Sequence, residues 1–283
     1  MTERLADVTV RIDGIRQLGA VVNAMRGIAA DRARQARTQL DAVDRYAATI
    51  GAAISQVLAL MPTDRLAPAD RAARPGLVLF GAEQGFADAF SQHVVDAAAP
   101  GPDCKLFVAG TRGAATIAER QLTAAWQGAI PSRSSGMPKF AAEIASAVYA
   151  SFAKGEVDRL EVVFSQWEPA QATRIIRQSL LPLDTTAFLA PVNGNSPLLN
   201  LTPTALLDSL TPDYLHAQLC RAALHSFAAE NEARMEAMAA AHNHTESELA
   251  ALLATQRRVR QEEITAEIIE LSAGEAASRA RSP

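Results

Sequence analysis

Two turns in this chain have the residue types of phosphate sites. Gly81-Ala82-Glu83-Gln84-Gly85 follows an apolar run and opens a helical stretch. That is where dinucleotide-binding folds hold a pyrophosphate on backbone N–H groups. Gly110-Thr111-Arg112-Gly113 repeats the situation. Neither turn completes G-x-G-x-x-G, and the Walker pattern with its lysine is absent. Plain strand-to-helix turns account for both. His242-Asn243-His244 places two imidazoles two positions apart, whereas ligands on one helical face need a spacing of three or four. Solvated positions are expected there. Ser91 and His93 have no third group nearby in sequence, so no catalytic triad is visible. Glu230, Glu232, Glu236, Glu246 and Glu248 read as the wet face of a helix. No catalytic, cofactor-binding or metal-ligating residue is assigned.

The elements that would carry any site are plainer than the site. Apolar or small residues recur at alternating steps of three and four: Leu5, Val8, Ile12, Ile15, Gly19, Val22, Arg26, Ala29, Ala33, Ala36, Leu40, Val43, Ala47, Ile50, Ile54, Val57 and Met61. Only Gly19 and Arg26 break this heptad, with Leu18 and Met25 beside them. A repeat of 3.5 residues held this long keeps one seam facing a partner helix and implies a left-handed supercoil. The alanines in its middle require close approach. The partner is expected at the other end of the chain. Thr211-Pro212 has the cap and first-turn proline of a helix start, and beyond it neither proline nor glycine occurs before Gly274. Leu215, Leu219, Ala223, Phe227, Met235, Met238, Leu249, Leu252, Val259, Ile264, Ile268 and Leu271 follow at helical spacing. Some 60 residues of helix span about 90 Å. An antiparallel hairpin of two terminal helices is expected, with a folded domain inserted between them.

The middle reads as α/β. Pro62, Pro68 and Pro75 end the first helix and mark a linker. Strands are expected at 77–80, 106–109, 160–164 and 172–181, and helices through Val95, over 111–120 and over 138–154. Strands alternating with helices predict a largely parallel sheet covered on both faces. The segment 190–203, rich in Pro, Asn and Gly, leads into the last helix. The organisation is therefore 1–61 coiled-coil helix, 75–200 Rossmann-like α/β domain, and 205–283 coiled-coil helix.

Composition narrows the function classes. The chain has 283 residues, a net charge of −4 and 49% hydrophobic residues, but only 5% aromatic ones. Alanine-rich helices explain that mismatch. The charge balance gives no reason to expect nucleic acid. No run of roughly 18 apolar residues suggests a membrane span, and the charged, helical start resembles no targeting peptide. Cys104 and Cys220 follow no metal or redox spacing and are expected as reduced buried thiols. The arginines stand out. Arg26, Arg32, Arg34 and Arg37 are opposed nearby by Asp31 alone, and Arg257, Arg258 and Arg260 lie near the end of the last helix. An antiparallel hairpin would bring both clusters toward its free end. They are either ordinary solvated charge or a positive collar for an acidic partner.

At these residues the chain resembles the γ subunit of the F-type ATP synthase. Glu232-Ala233-Arg234-Met235-Glu236-Ala237-Met238 is similar to the family's Ala-Ala-Arg-Met-x-Ala-Met. Arg260-Gln261-Glu262-Glu263-Ile264-Thr265-Ala266-Glu267-Ile268 is similar to its Arg-Gln-x-x-Ile-Thr-x-Glu-Leu/Ile, at the same distance downstream. Ala20-Val21-Val22-Asn23-Ala24-Met25 looks like a diverged form of an N-terminal stretch ending in Lys-Ala-Met. Leu180-Leu181-Pro182-Leu183 and Ala205-Leu206-Leu207-Asp208 fall where the family has them. There are departures. Gly85-Phe86-Ala87-Asp88-Ala89-Phe90 replaces a Gly-Leu-Cys-Gly-Gly-Leu-Asn stretch, Asn23 stands where lysine is usual, and Asn200 replaces a glutamate. These suggest a divergent branch, such as an alternative bacterial F-type ATPase.

The resemblance implies a non-catalytic rotor shaft standing in a hexamer of three α and three β subunits. Its foot would rest on the membrane c-ring with subunit ε, and it would couple ion flow to ATP synthesis or hydrolysis. It implies a peripheral location on the cytoplasmic face of the bacterial inner membrane. It assigns Met25, Arg257, Arg260, Gln261 and Thr265 to the interface with the catalytic subunits, and Leu199, Asn200 and Leu201 to contact with the c-ring and ε. No cofactor is implied. Two other classes stay open: a coiled-coil scaffold, and an α/β enzyme with helical oligomerisation arms.

Overall fold

The computed structural model describes residues 5–61, 74–87, 89–168, 173–183, 188 and 199–280. The elements in chain order are α1 (Leu5–Leu58), β1 (Pro75–Phe80), α2 (Phe90–Ala98), β2 (Lys105–Ala109), α3 (Thr111–Glu119), β3 (Ala124–Gly128), α4 (Met137–Ala153), β4 (Arg159–Gln166), β5 (Arg174–Leu181) and α5 (Pro203–Ala280). The chain divides into two compact units: 1–28 with 235–283, and 29–234. Helices α1 and α5 contribute to both. The linker prolines Pro62 and Pro68, and most of 190–203, lie outside the described residues; Pro75 opens β1.

The heptad is the burial pattern of α1. Val8, Ile12, Val22, Ala29, Ala33, Ala36, Leu40, Ala47, Ile54 and Val57 are all buried, and their neighbours one step away are mostly exposed. In the first unit Val8 and Ile12 pack with Leu252, flanked by Ile15, Leu249 and Leu253. Gln256 donates to Thr9 Oγ1 at 3.1 Å, and Arg11 faces Glu248 at 3.9 Å. Rising numbers on one helix meet falling numbers on the other, so the pair is antiparallel.

The second unit holds a five-stranded sheet of order β3-β2-β1-β4-β5. Four strands are parallel, and β5 pairs antiparallel with β4 at the edge. The period-2 alternation sends Val78, Phe80, Phe107, Leu160, Val162 and Phe164 to one face. There they meet Phe140, Ile144 and Val148 of α4, Leu215, Leu219, Ala223 and Phe227 of α5, and Ala36 and Leu40 of α1. Leu77, Leu79, Leu106, Val108 and Val163 point the other way, onto α2 and α3. Both faces are covered, as parallel strands require.

Two sequence expectations need correction. Strand β3 was not expected, because Ala124-Ala125-Trp126-Gln127-Gly128 is poor in β-branched residues. It forms as a half-exposed edge strand beside the apolar β2. The last helix begins at Pro203, not at Thr211-Pro212. The same Thr-Pro signature occurs earlier as Thr202-Pro203. Here the Thr202 carbonyl accepts from Leu206 N at 3.0 Å and its hydroxyl from Ala205 N at 3.4 Å. Pro212 then lies inside the helix, where it removes one backbone donor. Thr211 beside it donates its hydroxyl to the Leu207 carbonyl at 2.8 Å.

The seam makes a prediction. Ala36 is fully buried among α5 and sheet side chains. Ala36→Trp should cost about 1–3 kcal/mol or more by overpacking, and Ala33→Trp a similar amount. Thermal melts of the full chain check this. An unchanged melting temperature would show that the alanines do not face a partner helix.

Candidate functional site

Both glycine-containing turns lie side by side at the carboxyl ends of β1 and β2, where this class of sheet binds ligands. Their glycines serve packing. A Cβ on Gly81 would fall 2.5 Å from Gly113 Cα, and Gly110 has φ +101° with the Ala82 and Gly81 carbonyls against it. Gly81 N donates to Ala109 O at 2.9 Å, and Gly113 N to Ala82 O at 3.1 Å. The two turns are thus bonded to each other.

The donors that would hold a phosphate are taken by carboxylates of the chain itself. At the start of α3, Glu83 accepts from Thr111 N at 3.0 Å, Thr111 Oγ1 at 2.7 Å and Ile130 N at 2.8 Å. After β1, the backbone N–H groups of Glu83 and Gln84 donate to Glu230 Oε1 at 3.1 and 3.2 Å. Ser91 is structural too: its buried hydroxyl accepts from Ala82 N at 3.0 Å. Among the described residues no cluster of His, Cys, Asp or Glu could hold a metal ion.

Glu230 corrects the expectation of a wet carboxylate face. It is 2% exposed and paired with Arg234, itself 4% exposed. Arg234 also donates Nε to Gly85 O at 3.1 Å, Nη1 to Asn231 Oδ1 at 3.0 Å and Nη2 to Gln84 O at 3.3 Å. Burial pushes the Glu230 carboxyl above the ordinary carboxylate range, while Arg234 and the two amides pull against it. Glu232 is half-buried and pairs with Arg37, whose guanidinium lies 4.4 Å from the Trp167 ring centroid. Glu236 and Glu246 are exposed as expected, and Glu248 is partly covered beside Arg11. The i,i+4 spacing of Glu230 and Arg234 amid Phe227, Ala228 and Ala229 was the signal available in sequence.

A second polar cluster joins α1 and α5 within the same unit. Arg221 Nε bonds Asp44 at 2.7 Å, and His225, 5% exposed, approaches the same oxygen at 3.7 Å. His225 and Arg221 hold the Asp44 carboxyl below its ordinary range.

The residues assigned by resemblance lie mostly at the surface. Arg257, Arg260, Gln261 and Thr265 are exposed on α5, and Met25 is half-buried on α1. Arg257 and Thr265 bond within the helix, to Leu253 O at 3.2 Å and Gln261 O at 2.8 Å. Ile264, Ile268, Ile269 and Leu271 beside them are 49–74% exposed. Leu199 is half-buried, and Asn200 and Leu201 are exposed before α5. Within the first unit, Arg26 stands apart from the cluster at 257–260. Gln256 meets Thr9, so Arg26 stands 17 residues along α1 from that level, about 26 Å at the helical rise. Arg32, Arg34 and Arg37 belong to the other unit. Of these, Arg32 bonds Gln84, Arg34 pairs with Asp31 and Arg37 is half-buried, so only part of the first cluster is free surface charge.

Comparison with known proteins places this geometry. A family model described as ATP synthase matches residues 4–277. The ATP synthase gamma chain of Chlorobaculum tepidum is 28% identical over 95% of this chain and 97% of its own length. That of Heliobacterium modesticaldum is 28% identical over 96% and 98%. Among solved structures, a chain of the Euglena gracilis mitochondrial ATP synthase, in its OSCP/F1/c-ring assembly, superposes with a TM-score of 0.68 at 14% identity. It covers 98% of this chain and 95% of that one, and shows the shared fold. Terminal helices in antiparallel pairs around an inserted sheet, matched end to end by gamma chains, leave one conclusion: this chain belongs to the ATP synthase family.

Proposed function

We propose that this chain is the central rotor shaft of an F-type ATP synthase. The observation that carries the reading is the end-to-end match: residues 4–277 fit the family model, and gamma chains are covered over 97% of their length. In this reading the chain catalyses nothing. It turns inside an α3β3 hexamer and forces the catalytic sites of its partners through successive states, while its α/β domain rests with subunit ε on the c-ring. The enzyme sits on the cytoplasmic face of the bacterial inner membrane, with this chain peripheral to it. Among the described residues no helix is long and apolar enough to cross a membrane. Carboxylates of the chain at both turns of the sheet argue against a nucleotide there, and calorimetry with ATP, ADP and NAD should detect no micromolar binding.

The interface roles of Met25, Arg257, Arg260, Gln261 and Thr265 toward the catalytic subunits, and of Leu199, Asn200 and Leu201 toward the c-ring and ε, belong to the same proposal. The exposure of Arg257, Arg260, Gln261, Thr265, Asn200 and Leu201 supports it. Arg260→Glu turns attraction to an acidic bearing into repulsion. It should lower coupled ATP turnover about tenfold if the reversal costs about 1.4 kcal/mol there, with subunit composition unchanged. Wild-type turnover in a complex of normal composition would remove Arg260 from the interface.

A further inference from the structure

The sheet has its topological switch point between β1 and β4, because the chain runs outward from β1 to β2 and β3 and then returns to the other side. Ligands bind outside the carboxyl ends of the strands at such a point. Here that position is filled from within. The Glu230 carboxylate of α5 accepts from the successive N–H groups of Glu83 and Gln84, a donor pair that suits an anion. Arg234, one turn later, reaches over the same loop to the carbonyls of Gln84 and Gly85. Ser226 donates to Phe80 O at 3.3 Å, and Arg32 of α1 donates to the Gln84 side chain at 3.1 Å. The next residue, Phe86, is held at φ +61° and is 67% exposed. Both charged groups are buried, so salt screens the grip less than it would a surface pair.

We infer that Glu230 and Arg234 form a latch that fastens the α/β domain to α5, with Glu230 as a built-in anion in the backbone nest at the switch point, and that twisting force passes between helix and domain through this contact. The force-bearing part rests on the rotor reading; the latch itself rests on geometry alone. Every change that leaves the nest without an anion loosens the loop 81–87 while the heptad seam stays intact.

Hydrogen exchange on the full chain tests the latch. In Glu230→Gln, the amides of Glu83 and Gln84 should exchange at least about tenfold faster than in the wild type, and those of the seam around Ala33 and Ala36 should not. Glu230→Asp, which keeps the charge, should retain most of the protection. In Glu230→Gly, sodium acetate should restore protection, and sodium chloride at equal ionic strength should not. Wild-type exchange in Glu230→Gln, or equal rescue by chloride, would overturn the latch. The mechanical part is read in the assembled enzyme in membrane vesicles, as ions pumped per ATP hydrolysed. Glu230→Gln should lower that ratio at least about twofold, and a wild-type ratio despite loosened amides would overturn the transmission of force. A failure of the rotor reading looks different, because a covalent tie between this chain and its stator would then leave turnover intact whatever the amides do.

Discussion

Arg234→Met should destabilise the full chain by about 3–5 kcal/mol, the usual consequence of leaving one member of a buried ion pair uncompensated. Arg234 is 4% exposed and Glu230 2%. Methionine fills much of the same volume but supplies no charge and no donors to the Gln84 and Gly85 carbonyls. The stranded carboxylate would then keep only the two backbone N–H groups of Glu83 and Gln84. Burial already raises the Glu230 carboxyl above its ordinary range. A group raised in this way favours the folded state most when protonated, and its penalty grows as pH rises. The deficit of Arg234→Met relative to wild type should therefore shrink as pH falls toward the ordinary carboxylate range. Adding Glu230→Met should cost less than the sum of the single changes, since the two groups are coupled. Urea unfolding at a series of pH values measures all three. A loss below about 1 kcal/mol, the range of exposed pairs, would mean that water reaches the pair and screens it.

Patterns longer than one element were readable in the chain. The seam from Leu5 to Met61 is one repeat, and each of its residues in the structure is at least partly covered. The strands at 77–80, 106–109 and 160–164 were legible because strands buried on both faces are near-continuous apolar runs; the strand expected over 172–181 forms over Arg174–Leu181 as the half-exposed antiparallel edge. What escaped depended on contacts distant in sequence. Strand β3 exists because β2 offers it a ladder, and Ala124-Ala125-Trp126-Gln127-Gly128 has little strand character of its own. Two Thr-Pro pairs nine residues apart are equivalent helix starts locally; the helix takes the first and tolerates the second. Glu230 looked solvated because glutamate on a helix usually is. Its burial is set by a loop some 147 residues earlier that supplies two N–H groups. The interface residues show the opposite limit. Arg257, Arg260, Gln261 and Thr265 are exposed side chains, and the bonds of Arg257 and Thr265 among the described residues are local. Nothing in their spacing singles them out, and only the likeness of a whole motif does so.

A rotor shaft turns against stationary neighbours during each catalytic cycle, and a covalent tie to them must stop it. Arg257 is exposed on α5 close to the motif from Arg260 to Ile268 and well before the helix ends at Ala280. A single reactive thiol can be placed there as Arg257→Cys, after Cys104→Ser and Cys220→Ala; the latter position is buried and takes the smaller apolar residue. Oxidation against a cysteine introduced in the facing loop of a β subunit ties this chain to the stator without touching a catalytic residue. If the chain is a rotor, multi-site ATP hydrolysis should stop in proportion to the crosslinked fraction, and reduction should restore it. Full activity in a quantitatively crosslinked complex, with α5 still helical at the tie, would contradict rotation of this chain.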